Sequence, residues 1–149
     1  MIALTTLALI FASSSPARQI GTSSECALGQ VVLTDQARSW TKGAEILINP
    51  DDDTNTSLFA RCPGLITSLP AKMRFASKAE ITRLSDIVPS NSATIFHLGV
   101  PTISRDGRNA TVSYSYACSG LCGAGYQARY KLKRGIWKRV GIEEQMWVS

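Results

Sequence analysis

The chain has 149 residues, and 16 Lys and Arg against 11 Asp and Glu give it a formal net charge of +5 at pH 7. A chain of this length suits one domain and can bury a sizeable core, so its fold does not depend on metal or disulfide staples. The moderate basic excess favours an anionic partner without requiring one. No internal repeat, long charge block or low-complexity linker is present, which excludes a repeat architecture.

The N-terminus resembles a secretory signal peptide. Residues 1–17, MIALTTLALIFASSSPA, contain an apolar run that is too short for a comfortable membrane span, and small residues follow it at Ser15-Pro16-Ala17. We predict cleavage after Ala17. No Lys or Arg precedes the run, so a buried N-terminal helix or strand stays as the alternative. Because no cysteine lies in a lipobox context, we expect a soluble exported protein, secreted or periplasmic, without a transmembrane span in its mature form.

We predict one globular domain over residues 18–149. The first half of this domain contains short predicted elements. Residues 18–25 are polar and are expected to be disordered. Apolar runs predict strands at residues 44–48 and 72–75. Ser77 and Glu80 have the spacing of a capping box, so a helix is expected over residues 77–87.

The second half predicts antiparallel strands. Residues 93–104 read as a strand interrupted at Pro101, and Asp106-Gly107 as a hairpin turn. Strict alternation would place Ala110, Val112, Tyr114, Tyr116 and Cys118 on one strand face, and Tyr126, Ala128, Tyr130 and Leu132 on one face of the next. Residues 119–125 are expected to form a glycine-rich turn, Arg134-Gly135 a second turn, and residues 136–142 and 143–149 two further extended segments. Trp137 and Trp147 are expected to pack on the sheet.

These elements predict an α+β fold. Its C-terminal antiparallel sheet would be a meander of about four strands, covered by the short helix and by the N-terminal segments.

A set of C-terminal motifs adds a resemblance. The string CSGLCGAGY, the basic strand after it, the turn before Ile136-Trp137-Lys138 and the closing Met146-Trp147-Val148-Ser149 resemble a family of uncharacterised bacterial secreted proteins. That family has a C-x-x-L-C-G-x-G-Y turn and a terminal strand of the form W-I/V-S. The resemblance covers roughly residues 70–149. It implies antiparallel C-terminal strands and export, and it brings no established activity.

Four cysteines, Cys26, Cys62, Cys118 and Cys122, allow two disulfides with three possible connectivities. Cys118 and Cys122 flank a turn, so a bond between them is geometrically reasonable, and it would leave Cys26 to pair with Cys62. An oxidising compartment would allow such bonds to persist.

Cys122 is also the best candidate for chemistry. On a sharp glycine turn with free amides around it, a thiolate could act as the nucleophile of a hydrolase or transferase, with His97 as its base. The competing and favoured interpretation makes Cys122 half of a disulfide and His97 an ordinary strand residue. We expect no metal and no cofactor: Asp51, Asp53 and Asn55 open like a calcium loop, but Thr56 and Cys62 stand where that loop needs Gly and Glu.

The second candidate site is a run of basic residues. Arg129, Lys131, Lys133, Arg134, Lys138 and Arg139 lie within eleven residues that contain no acid. An anionic envelope polymer or a lipid head group could dock there, and nucleic acid less readily. A solvated strand face, kept charged against aggregation, is the alternative. The sequence therefore favours an exported, non-enzymatic interaction or structural module, with the thiol enzyme as runner-up.

Overall fold

A computed structural model describes residues 17–40, 45–49, 57–85, 93–118 and 122–149. Its helices are α1 (Ala17–Ser39), α2 (Leu58–Arg61) and α3 (Lys78–Ser85), with a 3-10 helix at Pro63–Ser68. Its strands are β1 (Glu45–Ile48), β2 (Met73–Phe75), β3 (Ala93–Leu98), β4 (Thr102–Ile103), β5 (Asn109–Cys118), β6 (Cys122–Lys133) and β7 (Ile136–Val148).

The described strands form one sheet in the order β2-β1-β3-β5-β6-β7, and β4 pairs with β5 beyond the end of β3. β1 runs parallel to both β2 and β3, and every other pair is antiparallel. The fold is thus α+β with a mostly antiparallel sheet, and β5, β6 and β7 form the predicted C-terminal meander.

The two faces of the sheet are covered by different elements. On β5 and β6 the alternation buries Val112, Tyr114, Ala128 and Tyr130, as the sequence predicts. We call this the inner face, because Leu28, Val32 and Leu33 of α1 pack in the same core cluster. The opposite, outer face carries α3 only over β1, where Ile81 and Leu84 pack on Leu47. On β5 and β6 the outer face bears mostly polar and basic side chains. On β7 it carries Lys138 and Glu144 together with the exposed apolar residues Ile136, Val140 and Trp147.

The N-terminal strands extend the sheet, whereas the sequence interpretation had them covering it. The prediction of about four strands is therefore too low, since the described residues contain seven. Ile46, Leu47 and Ile48 are all completely buried. A continuous apolar run is typical of a parallel strand that is covered on both faces, and this run meets α1's cluster on one side and α3 on the other.

α1 corrects a second expectation. Residues 18–25, expected to be disordered, belong to this helix. Its apolar residues pack at helical spacing from Leu28 onward, and once a packed turn exists each added residue gains a backbone hydrogen bond at little further cost. The predicted signal peptide, residues 1–17, falls outside the described residues except for Ala17.

Several local predictions are confirmed. The strands predicted at residues 44–48 and 72–75 correspond to β1 and β2, and α3 lies within the helix predicted at 77–87. Ser77 Oγ accepts a hydrogen bond of 3.2 Å from the backbone N–H of Glu80, which is half of the predicted capping box. Arg134 and Gly135 both have positive φ, 52° and 78°, as the hairpin turn between β6 and β7 requires.

The C-terminal strands are longer than expected. Residues 122–125 belong to β6 instead of the turn, and residues 136–148 form one strand instead of two. The β6–β7 register shifts between Gly125 and Tyr126 and again between Gln127 and Arg129. These bulges bend β7, and Gly141 takes a positive φ of 75° within it. None of the helices in the described ranges combines the length and the apolar composition that a membrane span needs.

Candidate functional site

All four cysteines are disulfide bonded. Cys26 pairs with Cys62 and Cys118 with Cys122, each with a Cα–Cα separation of 5.5 Å. This is the pairing that the sequence favoured among the three possible ones. The first bond ties α1 to the residue that follows α2. The second links the last residue of β5 to the first residue of β6, at the turn end of the hairpin.

The structure does not bring Cys122 and His97 together. His97 pairs with Ser115 on β5, whereas Cys122 pairs with Cys118, three residues further along β5. Three strand residues span about 10 Å. Cys118 also continues the inner-face alternation of Tyr114 and Tyr116, while His97 and Ser115 alternate with it on the outer face. The two side chains of the thiol-enzyme alternative therefore start from opposite faces of the sheet.

The six basic residues singled out in the sequence divide among three places. Arg129, Lys131 and Lys133 project from the outer face of β6, and Lys138 stands directly opposite Lys131 on β7. We call these four residues the basic face. Arg134 lies in the β6–β7 turn. Arg139 is opposite Tyr130 on the inner face, where it pairs with Glu143 at 2.9 Å.

Two further cations join this end of the sheet. The backbone N–H of Leu132 donates to the carbonyl of Arg108 at 2.8 Å, which places the turn between β4 and β5 beside the end of β6. Arg105 and Arg108 therefore add positive charge near this end of the sheet, at the turn and not on the basic face itself. Neither arginine belongs to the basic run seen in the sequence, although both flank the predicted Asp106-Gly107 turn.

The carboxylate of Asp106, which lies between the two arginines in the chain, accepts hydrogen bonds from within the turn. The hydroxyl of Ser104 donates to its Oδ1 at 2.5 Å and the backbone N–H of Arg108 at 3.0 Å. The bond from Ser104, and then that from Arg108, lower the pKa of this carboxyl. The carboxylate therefore serves to hold the turn. Among the described residues, no acidic side chain forms an ion pair with Arg129, Lys131, Lys133 or Lys138.

A shallow groove lies beside Arg129 and Lys131 on the outer face. It measures about 460 Å³, and its lining includes Thr102, Asn109, Thr111, Arg129, Lys131 and Val140. Hydroxyl, amide and cationic groups thus surround an opening that an anionic chain could enter.

A second row of side chains crosses the outer face at the other end of β6. His97 pairs with Ser115, Ser115 with Gly125, and Gly125 with Trp147. A groove of about 420 Å³ follows this row, lined among others by His97, Gly99, Ser113, Ser115, Met146 and Trp147.

The indole of Trp147 lies along the glycines of β6. A Cβ at Gly125 would fall 2.7 Å from Cδ1 of Trp147, in its five-membered ring, and a Cβ at Gly123 would fall 3.3 Å from Cζ3, in its six-membered ring. Both rings therefore overlie the strand. Trp147 is nevertheless 49% exposed, whereas Trp137 is buried as predicted. The indole thus packs on the sheet, as expected, and turns its other side to solvent.

The two motifs that carry the family resemblance lie against each other. Gly125 pairs with Trp147 and Ala124 with Val148, and the backbone N–H of Ser149 donates to the carbonyl of Gly123 at 3.0 Å. The glycines of the C-G-x-G-Y string leave the space that the tryptophan of the terminal strand occupies.

A polar cluster sits under the inner face. The hydroxyl of Tyr114 donates to Glu143, which also pairs with Arg139. Burial, and then the bond to Glu143, raise the pKa of Tyr114 well above its ordinary value. The hydroxyl of Tyr130 is buried and makes no hydrogen bond to a described group, and burial is the main cause that raises the pKa of Tyr130. The two tyrosines form part of the core, whereas Arg139 and Glu143 are partly exposed at its edge.

In the described ranges, no cluster of three or more His, Cys, Asp or Glu side chains is arranged to hold a metal ion. Comparison of the chain with family models, curated proteins and solved structures finds no match. The assignment of function therefore depends on the site itself.

Proposed function

We propose that this protein is a non-enzymatic binding module that holds an anionic polymer on its basic face. The observation that carries the proposal is the pair Lys131 and Lys138, which stand directly opposite each other on the outer face. Like charges in that position destabilise a sheet. Their repulsion would be relieved by an anion that contacts both.

The surroundings of the pair support the same function. Arg129 and Lys133 flank Lys131 on the same strand face, and Arg105 and Arg108 lie at the adjoining turn. These cations lie at one end of the sheet beside a groove, and a concentration of like charge beside a concave surface favours an anionic partner.

We also propose that the protein is exported by a bacterium and belongs with the secreted proteins that its C-terminal motifs resemble. Two disulfides are compatible with an extracellular or periplasmic location, because such bonds persist in oxidising compartments. An anionic polymer of the cell envelope would then be the available partner, and a lipid head group is the alternative anion.

A charge-matched pair of variants tests the proposal. Lys131→Glu with Lys138→Glu changes the net charge from +5 to +1, since each substitution removes two units. Lys78→Glu with Arg83→Glu makes the same change on exposed positions of α3, across β3 and β5 from the basic face. Binding to polyphosphate and to polygalacturonate is measured by titration calorimetry at two salt concentrations.

We expect the Lys131/Lys138 variant to bind both polymers at least tenfold more weakly, and the α3 variant to stay within about threefold of the parent protein. Parent binding should weaken as salt rises, because exposed charges are screened. Equal losses in the two variants would show a non-specific charge effect and overturn the proposal. Binding to anionic lipid vesicles with no binding to either soluble polymer would replace the polymer with a membrane surface.

A further inference from the structure

The groove beside Trp147 has the features of a site for a flat ring. The indole lies over Gly123 and Gly125 with one side against the strand, and half of its surface stays exposed. A ring held in this way presents an open π face and needs no rearrangement to stack on a ligand. The substitution of any larger residue at Gly125 would remove that geometry.

Polar groups stand around the open ring face. His97 and Ser115 continue the same cross-strand row, and Ser113 lies in the neighbouring row with Gln127, whose Nε2 is 3.5 Å from Ser113 Oγ. The volume of this open groove, about 420 Å³, falls within the range of small-ligand sites. Short hydroxyl and amide groups beside a stacking surface suit a ligand that combines a ring with several hydroxyls.

This groove and the basic face are two ends of one surface. Both lie on the outer face of β6, with Gly125 under the indole, Arg129 about 13 Å further on and Lys133 about 26 Å away, at about 3.3 Å per residue. Ser113, Thr111 and Gln127 occupy the interval between them on the same face. A polymer laid along β6 would meet the ring at one end and the cations at the other.

We propose that the Trp147 groove binds a sugar ring of an anionic polysaccharide whose acidic groups contact the basic face. This inference rests on the proposed function and names the class of its ligand. Single-stranded nucleic acid is disfavoured because it is usually held by a succession of stacking aromatics, and Tyr114, Tyr116, Tyr126 and Tyr130 all lie on the inner face. A membrane is disfavoured because the indole lies flat on the strand instead of protruding.

Two variants separate the ring site from the charge site. Trp147→Leu keeps an apolar cover over the glycines but removes the flat ring. Ser115→Val leaves Trp147 in place, suits a strand, and puts bulk into the groove. Each is compared with the parent protein for binding to polygalacturonate, which has sugar rings and carboxylates, and to polyphosphate, which has charge alone. Urea unfolding checks that both variants fold.

We expect both variants to bind polygalacturonate at least fivefold more weakly and to bind polyphosphate within twofold of the parent. If both variants bind each polymer as tightly as the parent does, the sugar-ring site is overturned. The basic face would then stand alone as the binding site. A parent protein that binds neither polymer would overturn the proposed function itself. A single-stranded oligothymidylate that binds more tightly than polygalacturonate, and loses its affinity in Trp147→Leu, would make the partner a nucleic acid and overturn the inference.

Discussion

Gly125 on β6 and Trp147 on β7 stand directly opposite each other, and the indole occupies the space in which any other residue at position 125 would carry its Cβ. The pair couples two sequence motifs that are more than twenty residues apart. It also fixes the orientation of the exposed aromatic on the outer face. Glycine is required here because the indole approaches the strand backbone closely. Backbone conformation does not require it, because Gly125 does not have positive φ.

Gly125→Ala should therefore displace the indole. The new methyl group would fall inside contact distance of three atoms of the five-membered ring, so either Trp147 moves off the strand or β7 shifts. We expect a loss of about 1–3 kcal/mol in the free energy of unfolding, as for other overpacked sites. Urea unfolding measures it, and tryptophan fluorescence reports the changed environment of the indole.

Gly64→Ala is the matched control. A Cβ at Gly64 meets no atom within 4 Å, and the residue lies in the 3-10 helix without positive φ. We expect unchanged stability or a gain of up to about 1 kcal/mol, because alanine narrows the unfolded ensemble. Equal effects of the two substitutions would contradict the close packing of Trp147 on Gly125.

The two disulfides should differ in their effect on stability. Cys26 and Cys62 are 36 residues apart, whereas Cys118 and Cys122 are only 4 apart. In the loop-entropy model the longer closure is worth about 4 kcal/mol and the shorter about 2 kcal/mol. We expect Cys26→Ala with Cys62→Ala to lower the free energy of unfolding by more than Cys118→Ala with Cys122→Ala does. Urea unfolding of each double variant checks this order, and the reverse order would contradict it.

The buried tyrosines predict a loss of stability at high pH. The pKa values of Tyr114, Tyr116 and Tyr130 are raised in the folded protein, in each case chiefly by burial. The unfolded chain releases these protons near pH 10, whereas the folded chain keeps them. The unfolded state then binds fewer protons, so the free energy of unfolding should fall as pH rises above about 10, by about 1.4 kcal/mol per pH unit for each tyrosine. Below that range the three groups should have no such effect.

Tyr130→Phe isolates one of these contributions. Its hydroxyl makes no hydrogen bond to a described group, so the substitution should leave stability at pH 7 unchanged or slightly raised. Above pH 10 the free energy of unfolding should fall less steeply than in the parent, by the equivalent of about one proton. Urea unfolding between pH 8 and pH 11 measures both slopes, and identical slopes would contradict the retained proton on Tyr130.

Elements with a local cause could be predicted from the sequence. The capping bond at Ser77 depends on residues within one helical turn, and the alternation of β5 and β6 depends on side-chain period alone. The apolar run of β1 was recognised as a strand for the same reason. Its place inside the sheet was missed, because partners and direction depend on segments distant in the chain.

The candidate site was predictable only as a set of residues. The basic run was visible in the sequence, but its division between the outer face, a turn and the inner face depends on strand register. The same holds for His97 and Cys122, which the sequence could name but could not place relative to each other. A shift of one residue in pairing moves every side chain to the other face, so faces cannot be assigned before the register is known.

By itself the sequence determined the strand periodicity, the helix cap, the turns and the cysteines available for bonding, because each depends on residues close along the chain. Only the tertiary structure decided that Trp147 would lie on Gly125, that Arg108 would lie beside Leu132, and that Lys131 would face Lys138. The physical reason is that these contacts join separate strands. Their geometry is set by which long-range pairing buries the apolar face.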